Sequence, residues 1–229
     1  GEAGFSADSF FGVGLYRIDN ASSANPTIVG PIASSQFVGR SVSGIAVHPT
    51  DPNIIFVTSA SGVGGIGGGG NSTLSARGVF RSTDALSAAP TFTKLTITGP
   101  AAQDRAFIDI VMDPGDPNLV LATLADSFSL AEGGVYRSTN ALAATPTFVR
   151  TFTAGTGTSN SRTELALHRS GGGVVTVYAA SGTSGGTVQR SIDGGATWTQ
   201  QIDNNFCTPQ CFYDIAIDVD PTNADTVYL

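Results

Sequence analysis

Lysine and glutamate are almost missing from this chain of 229 residues. It contains one lysine, Lys94, and three glutamates, Glu2, Glu132 and Glu164, and only 13% of its residues are charged, about half the usual share. Both residue types favour the exposed faces of helices, so their scarcity predicts almost no helix. Glycine, serine, threonine, valine and isoleucine dominate instead, and they favour strands and turns.

Basic clusters and long apolar runs are missing as well. The formal net charge is −7 and the pI is about 4.5, so we expect no nucleic-acid partner, because such a surface repels phosphates. No stretch approaches the roughly 18 apolar residues of a membrane-spanning helix, so we expect no membrane span. The 41% of hydrophobic residues is enough to bury the core of one large β domain.

Cysteine occurs only twice, as Cys207 and Cys211 in the sequence CTPQC. This spacing is compatible with a small disulfide loop or with two free thiols. A zinc site would need further ligands, and no histidine lies close in the sequence. A disulfide would indicate an oxidising compartment, so we expect a secreted, periplasmic or cell-surface protein.

What the chain does contain is an internal repeat. Four segments share an arginine that follows a short apolar run and precedes a turn rich in small and polar residues. They are GLYRIDNASSANPTI (14–28), GVFRSTDALSAAPTF (78–92), GVYRSTNALAATPTF (134–148) and TVQRSIDGGATW (187–198). We call their arginines the repeat arginines: Arg17, Arg81, Arg137 and Arg190.

A second element recurs about thirty residues after each of these segments. Each copy has two apolar runs around a turn rich in Asp, Pro, Asn or Gly, which predicts a β-hairpin. The chain therefore divides into four repeats at about 14–77, 78–133, 134–186 and 187–229. Each repeat is predicted to fold as four antiparallel strands, and such units form the blades of a β-propeller. We expect one all-β domain over residues 1–229.

The fourth segment carries the resemblance to a known family. Its sequence SIDGGATW matches the Asp-box pattern S-x-D-x-G-x-T-W at Ser191, Asp193, Gly195, Thr197 and Trp198. The chain resembles the Asp-box (BNR) propellers, and most of all their sortilin and xyloglucanase-type branch. The resemblance implies that these boxes fold the blade and lie away from the ligand-binding face.

Elementary chemistry gives the box residues structural roles. Asp193 is expected to accept backbone N–H groups inside the turn, and Trp198 to pack its ring between neighbouring sheets. The repeat arginines recur in every copy, which indicates a role in the blade rather than in catalysis. Four repeats either close into a ring or form a portion of a longer propeller, and we expect the portion.

Catalytic residues are hard to find. A sialidase would need a tyrosine nucleophile beside a glutamate and an arginine cluster, and none is recognisable. A xyloglucanase-type hydrolase uses two aspartates; Asp126 is a weak candidate for the first, and no second can be matched. No cofactor is expected, except that Asp214, Asp218 and Asp220 are weak candidates for calcium ligands.

The sequence therefore predicts an extracytoplasmic binding or scaffold module with a protein or polysaccharide partner. The candidate binding segments are the long connections, where propellers of one frame differ: 59–77, 124–133, 153–162 and 203–212. One alternative is a glycoside hydrolase, or a fragment of one. Another is a structural subunit of a larger assembly, in which other chains cover the open blade edges.

Overall fold

The chain is built almost entirely from short antiparallel strands. A computed structural model describes residues 10–62, 74–99, 103–125, 131–155 and 161–229. None of these residues lies in an α-helix, and the only helical pieces among them are single 3-10 turns at Ser34–Gln36 and Thr183–Gly185. The described residues therefore also include no helix that could cross a membrane.

The described strands form three complete four-stranded sheets and two separate hairpins. The N-terminal hairpin contains β1 (Leu15–Asp19) and β2 (Thr27–Ile32). Blade I contains β3 (Ser41–Val47), β4 (Ile55–Ala60), β5 (Gly78–Ser82) and β6 (Thr93–Lys94). Blade II contains β7 (Phe107–Asp113), β8 (Asp116–Leu124), β9 (Gly134–Ser138) and β10 (Val149–Thr153). Blade III contains β11 (Thr163–Arg169), β12 (Val175–Ser181), β13 (Thr187–Ser191) and β14 (Thr199–Asp203), and the C-terminal hairpin contains β15 (Asp218–Val219) and β16 (Val227–Tyr228).

The predicted fold class is confirmed: the chain is all-β and consists of four-stranded antiparallel blades of a β-propeller. The expectation that one repeat folds as one sheet is corrected. The repeat starts at 78, 134 and 187 coincide with β5, β9 and β13, which are the third strands of their sheets. Each blade therefore combines the hairpin of one repeat with the arginine segment of the next.

The cores lie between consecutive sheets, so blade II, which lies between two other complete sheets, buries both of its faces. Between blades I and II, Phe56 packs with Phe107 and Tyr136. Between blades II and III, Leu121 packs with Val177. Strand β12 is buried along its whole length, because it lies within its sheet and is covered on both sides.

The strand register separates two ends of every blade. Ser41 at the start of β3 pairs with Ala60, and Gly78 at the start of β5 pairs with Ser59. The connection between β4 and β5 therefore lies at the end of the sheet where its first strand, which we call the inner strand, begins. We call this the long-loop end; the connections 61–77, 125–133, 154–162 and 204–217 begin and end there. The opposite end, which we call the turn end, carries the turns between the first and second strands of each sheet. It also carries the box turns, each of which connects an arginine strand to the strand that follows it. The box turns are residues 20–26, 83–92, 139–148 and 192–198.

The blades form an open arc within the described residues. Strand β3 contacts β7, β7 contacts β11, and β11 contacts β15, which places the first strands of successive sheets side by side. The N-terminal hairpin supplies only the third and fourth strands of a blade, and the C-terminal hairpin only the first and second. The two hairpins are not paired with each other.

Candidate functional site

The complete box turn of blade III is organised around the carboxylate of Asp193. Asp193 Oδ1 accepts the backbone N–H groups of Ala196 and Thr197 at 3.0 and 2.9 Å, and the Ser191 hydroxyl donates to the same oxygen at 2.7 Å. The Thr197 hydroxyl donates to Oδ2 at 2.6 Å. Gly194 and Gly195 have φ values of 68° and 82°, which residues with a Cβ adopt only with strain.

These hydrogen bonds also set the protonation of Asp193. Burial alone would raise its pKa, but the bonds from Thr197, Ser191 and Ala196 lower the pKa to about 2. A carboxylate already filled by donors of its own turn is poorly suited to transfer protons at neutral pH. Asp193 therefore belongs to the framework of the blade.

The same pattern is present in two of the other box turns. Asp84 Oδ1 accepts the N–H of Thr91 at 2.8 Å, and Asn140 Oδ1 accepts the N–H of Thr147 at 2.9 Å. The turn of the N-terminal hairpin shares the backbone bond of these turns: the carbonyl of Asn20 accepts the N–H of Ser23, as Asp84 accepts that of Ser87 and Asn140 that of Ala143.

Each of the first three repeat arginines bonds the box turn of the next blade. Arg17 Nη1 donates to the carbonyl of Ala85 at 2.9 Å, Arg81 Nη1 to Ala141 at 2.7 Å, and Arg137 Nε to Gly194 at 2.8 Å. The three acceptors occupy the same place, directly after Asp84, Asn140 or Asp193. Arg190 instead pairs with the carboxylate of Asp225 at 2.7 Å.

Trp198 lies between blades II and III. Its ring packs against the core that contains Leu121 and Val177, and its centroid lies 5.9 Å from that of Phe152. Its indole N–H donates to the Thr151 hydroxyl at 3.3 Å. The box residues and the repeat arginines all contribute to blade structure at the turn end, which leaves the long-loop end as the candidate site.

A pair of acidic side chains lies at the long-loop end, on the inner strands of two neighbouring blades. The carboxyls of Asp109 on β7 and Glu164 on β11 lie close enough that each shifts the pKa of the other. Asp109 Oδ2 also accepts the backbone N–H of Leu165 at 2.8 Å, and its Oδ1 accepts that of Ile110 at 2.7 Å. The pair therefore joins the inner strands of blades II and III.

Burial holds a proton in this pair at neutral pH. Loss of solvation and the nearby Asp109 carboxyl together raise the pKa of Glu164 to about 8, against the lowering effect of Arg162. Burial also raises the pKa of Asp109. Two carboxyls with a shared proton can both donate to and accept from a polar ligand.

The connection 204–217 positions Arg162 against this pair. Arg162 forms an ion pair with Glu164 through Nη2, and its Nη1 donates to the Tyr213 carbonyl at 2.7 Å. The backbone N–H of Arg162 donates to the carbonyl of Cys211. Cys207 and Cys211 form a disulfide, one of the two outcomes that their spacing allows, so a cross-linked loop supports the arginine that contacts Glu164.

Further ion pairs occupy the same end. Arg105 Nε lies 2.8 Å from Glu132 Oε2, and Arg77 Nε lies 3.0 Å from Asp104 Oδ1. The Tyr136 hydroxyl donates to the backbone carbonyl of Glu132 at 2.7 Å. The long-loop end therefore presents carboxyl, guanidinium and carbonyl groups over a β framework.

The structure describes only some of the other site residues that were predicted from the sequence. Asp126 lies outside the described residues, as do parts of the candidate segments 59–77, 124–133 and 153–162. Segment 203–212 is described and holds the disulfide. Asp220 Oδ1 accepts the backbone N–H and the hydroxyl of Thr222 at 2.7 Å, while Asp214 and Asp218 are exposed. In the ranges that the structure describes, no three His, Cys, Asp or Glu side chains form a group that could hold a metal ion.

Sequence reasoning missed Asp109 and Glu164, although a signal was present. Asp109 and Glu164 occupy equivalent positions on the inner strands, four residues before Asp113 and His168 respectively. The equivalent residue of blade I is Gly44. An acidic residue at the same inner-strand position in two successive repeats predicts two carboxyls that lie side by side on neighbouring inner strands.

Comparison with known proteins places the fold. No profile of a known protein family matches this chain, and no curated protein matches it in sequence. Among solved structures, it is similar to an ancestral GH74 enzyme (19% identity, TM-score 0.46, 80% of this chain and 22% of that one). It is also similar to the GH74 xyloglucanase from Xanthomonas campestris (15% identity, TM-score 0.34, 81% of this chain and 35% of that one).

The assignment of the fold is supported by structural similarity to a GH74 enzyme from Niastella koreensis, with a TM-score of 0.55 and 21% identity. The match covers 86% of this chain and 28% of the enzyme, so this chain spans less than a third of the length of that protein. The chain has the fold of a part of that enzyme.

Proposed function

We propose that this chain is part of a polysaccharide-acting glycoside hydrolase and that its long-loop end contributes to the glycan-binding face. The observation that carries the proposal is the fold match with a GH74 enzyme over 86% of this chain. Because the chain covers only 28% of that enzyme, the proposal assigns to it one part of a glycan site rather than a whole one.

The chemistry of the long-loop end is compatible with a sugar ligand. Glycans are bound through their hydroxyl groups, which need both donors and acceptors. The Asp109–Glu164 pair retains a proton at neutral pH, because the pKa of Glu164 is raised to about 8, and Arg162 and Tyr213 lie beside it. At the turn end, by contrast, the Asp193 carboxylate is filled by its own turn.

A second candidate is binding without hydrolysis, as a module for a glycan or a protein. The closeness of Asp109 and Glu164, whose carboxyls shift each other's pKa, favours it. Hydrolysis by the two-carboxyl mechanism needs groups separated by about 5 Å or more, so this pair alone does not form an acid and a base. Under the hydrolase proposal the second carboxyl comes from elsewhere, and Asp126 is the candidate within this chain.

The test compares binding and turnover on soluble polysaccharides. The chain is run through gels that contain xyloglucan, mixed-linkage β-glucan or no glycan, and the release of reducing sugars is measured separately. We expect xyloglucan to retard the wild type and the control variant Asp193→Asn. Glu164→Gln should bind about tenfold more weakly, a loss of about 1.4 kcal/mol.

The outcomes separate the two candidates. Sugar release that stops in Asp126→Asn supports the hydrolase. Retardation without sugar release supports the binding module and contradicts catalysis by this chain. If no glycan retards the wild type, the glycan-binding proposal fails.

A further inference from the structure

Positive charge is concentrated at one end of blades I and II, although the whole chain carries a formal net charge of −7. Five of its 11 basic side chains place their charged groups at the long-loop end of these two blades: Arg40, Arg77, Lys94, Arg105 and Arg150. The described carboxylates that pair with them are fewer, Asp104 and Glu132. This end therefore carries an excess of positive charge.

The turn end of the same two blades has the opposite balance. Its described charged groups are four carboxylates and two guanidinium groups: Asp51, Asp84, Asp113 and Asp116, with Arg81 and Arg137. Both arginines donate to backbone carbonyls of the next box turn. The positive charge is therefore a property of one face of these blades.

Three of the basic side chains gather around one carboxylate, that of Asp104. We call Arg40, Arg77 and Lys94 the basic cluster. Arg77 Nε lies 3.0 Å from Asp104 Oδ1, whereas Arg40 Nη2 lies 4.0 Å from Oδ2, which is too long for a hydrogen bond. Lys94 Nζ donates to the carbonyl of Gln103 at 2.5 Å. In the described part of the chain, one negative charge thus faces three positive charges.

The electrostatics of the basic cluster favour a further anion. Burial lowers the pKa of Arg40, and the positive charge of Arg77 adds to this effect while Asp104 opposes it. Burial also lowers the pKa of Lys94, again opposed by Asp104 and increased by Arg77. An anion beside the cluster would stabilise both charged forms. The side chains of Arg77 and Asp104 are 24% and 49% exposed, so a dissolved ligand can reach them.

The basic cluster continues into a row of cations that crosses from blade I to blade II. The backbone carbonyl of Asp104 accepts hydrogen bonds from Nη2 of Arg77 at 3.2 Å and from Nη1 of Arg105 at 3.4 Å. On blade II, Arg150 Nη1 donates to the carbonyl of Ala131 at 2.8 Å, in the same connection that Arg105 contacts. Positive groups therefore follow one another along this face, which suits a ligand with repeated negative charges.

We infer that this row of cations binds a polysaccharide that carries repeated carboxylates, such as a chain of uronic acids. The inference rests on the proposed glycan-binding function and narrows the ligand from a glycan to an acidic glycan. Guanidinium groups suit carboxylates, because their planar N–H groups match both oxygens. Blades I and II are both complete four-stranded sheets, so the whole row lies on complete blades.

Calorimetric titration with three oligomers tests the inference. Hexagalacturonate carries carboxylates on its sugars, its fully methyl-esterified form has the same chain without the charges, and hexaglutamate has the charges without the sugar. We expect hexagalacturonate to bind at least tenfold more tightly than either, as for the gain of one hydrogen bond between charged groups. Raising the salt concentration from about 0.05 M to about 0.5 M should reduce the difference from the ester, because salt screens exposed charges.

Two substitutions with opposite effects locate the site. Lys94→Met should weaken the binding of hexagalacturonate about tenfold without changing that of the ester, and Lys94→Arg should bind like the wild type. Asp104→Asn should tighten the binding of hexagalacturonate, because it removes the competing charge but keeps the oxygen that Arg77 contacts. A purely structural role of Asp104 would give no such increase. Arg190→Met, at the turn end of blade III, is the control and should bind like the wild type.

The outcomes separate this inference from the proposed function. Equal binding of hexagalacturonate and its ester overturns the inference, and so does equally tight binding of hexaglutamate or an unchanged affinity in Lys94→Met. A chain that binds a xyloglucan oligosaccharide but not hexagalacturonate also overturns it, while the proposed function stands. A chain that binds none of these sugars contradicts both.

Discussion

The carbonyl oxygen of Gly194 in blade III accepts a hydrogen bond of 2.8 Å from Nε of Arg137 in blade II. The N–H of the same glycine donates to the Val175 carbonyl within blade III. One residue thus joins the box turn to its own sheet and to the previous sheet. The repeat arginines therefore help to set the arrangement of successive blades.

Replacing Arg137 tests this role. Arg137→Met keeps most of the aliphatic stem but loses the donor, so the free energy of unfolding should fall by about 1.5–3 kcal/mol, the usual range for a bond to a charged group. Urea unfolding measures the change. Arg150→Met is the matched control and should change stability by less than about 0.5 kcal/mol. Equal effects from the two variants would contradict the role of Arg137.

The Asp193 turn predicts a graded response to substitution. Asp193→Ala removes the acceptor of two backbone N–H groups and two hydroxyls, and it should cost about 1 kcal/mol, as for other exposed capping side chains. Asp193→Asn should cost less, because Asn140 performs the same role in blade II. Thermal unfolding ranks the variants, and an Asn variant as unstable as the Ala variant would contradict this account.

The same carboxylate predicts sensitivity to acid. Its pKa is lowered to about 2 in the fold from an ordinary value of 3.8, so its stabilising effect is complete above the higher value and is lost as pH falls through the lower one. Between those values the wild type should lose stability more steeply than Asp193→Asn. Urea unfolding over this acidic range measures the difference, and parallel curves would show that the Asp193 carboxylate does not contribute.

Glu164 should make the stability of the fold depend on pH in the opposite direction. Its pKa rises from an ordinary 4.5 to about 8, so its contribution is complete below the lower value and is lost as pH rises through the higher one. The wild type should therefore become less stable from about pH 5 to about pH 8.5, and Glu164→Gln should flatten this slope. A slope that is unchanged in Glu164→Gln would remove Glu164 as its source.

Much of the architecture could be predicted from the sequence because the repeat is local. The arginine segment, its turn and the following hairpin each lie within about 30 residues, and their turn chemistry is readable: Asn53 donates its N–H to Asp51 Oδ1 at 3.0 Å, as expected for such turns. Which strands belong to the same blade could not be predicted. A repeat defines a period, but which strand lies third in a sheet depends on pairing between β4 and β5 across the long connection 61–77.

The pairing of Asp109 with Glu164 could not be predicted for a related reason. On their strands, Asp109 and Glu164 look like ordinary polar residues among apolar ones. Only the meeting of β7 and β11 brings the two carboxyls together and buries them. The disulfide was predictable as one of two outcomes, but its support of Arg162 through the carbonyl of Cys211 depends on the packing of the 204–217 connection.

That support makes the disulfide testable as part of the site. In a Cys207→Ser/Cys211→Ser variant the loop loses its cross-link, so Arg162 should be held less firmly and the pKa of Glu164 should rise further. Carboxyl chemical shifts followed by NMR as a function of pH measure this pKa. An unchanged pKa would show that the loop does not position Arg162.

Hydrogen exchange with and without a xyloglucan oligosaccharide tests the central claim, that the long-loop end is the functional face. The account predicts slower exchange of the backbone amides of residues 131–136, 161–165 and 205–214 when the sugar is present. Residues 83–91, 139–147 and 192–198 of the box turns should not change. Protection confined to the box turns would contradict the claim and would place the ligand at the turn end.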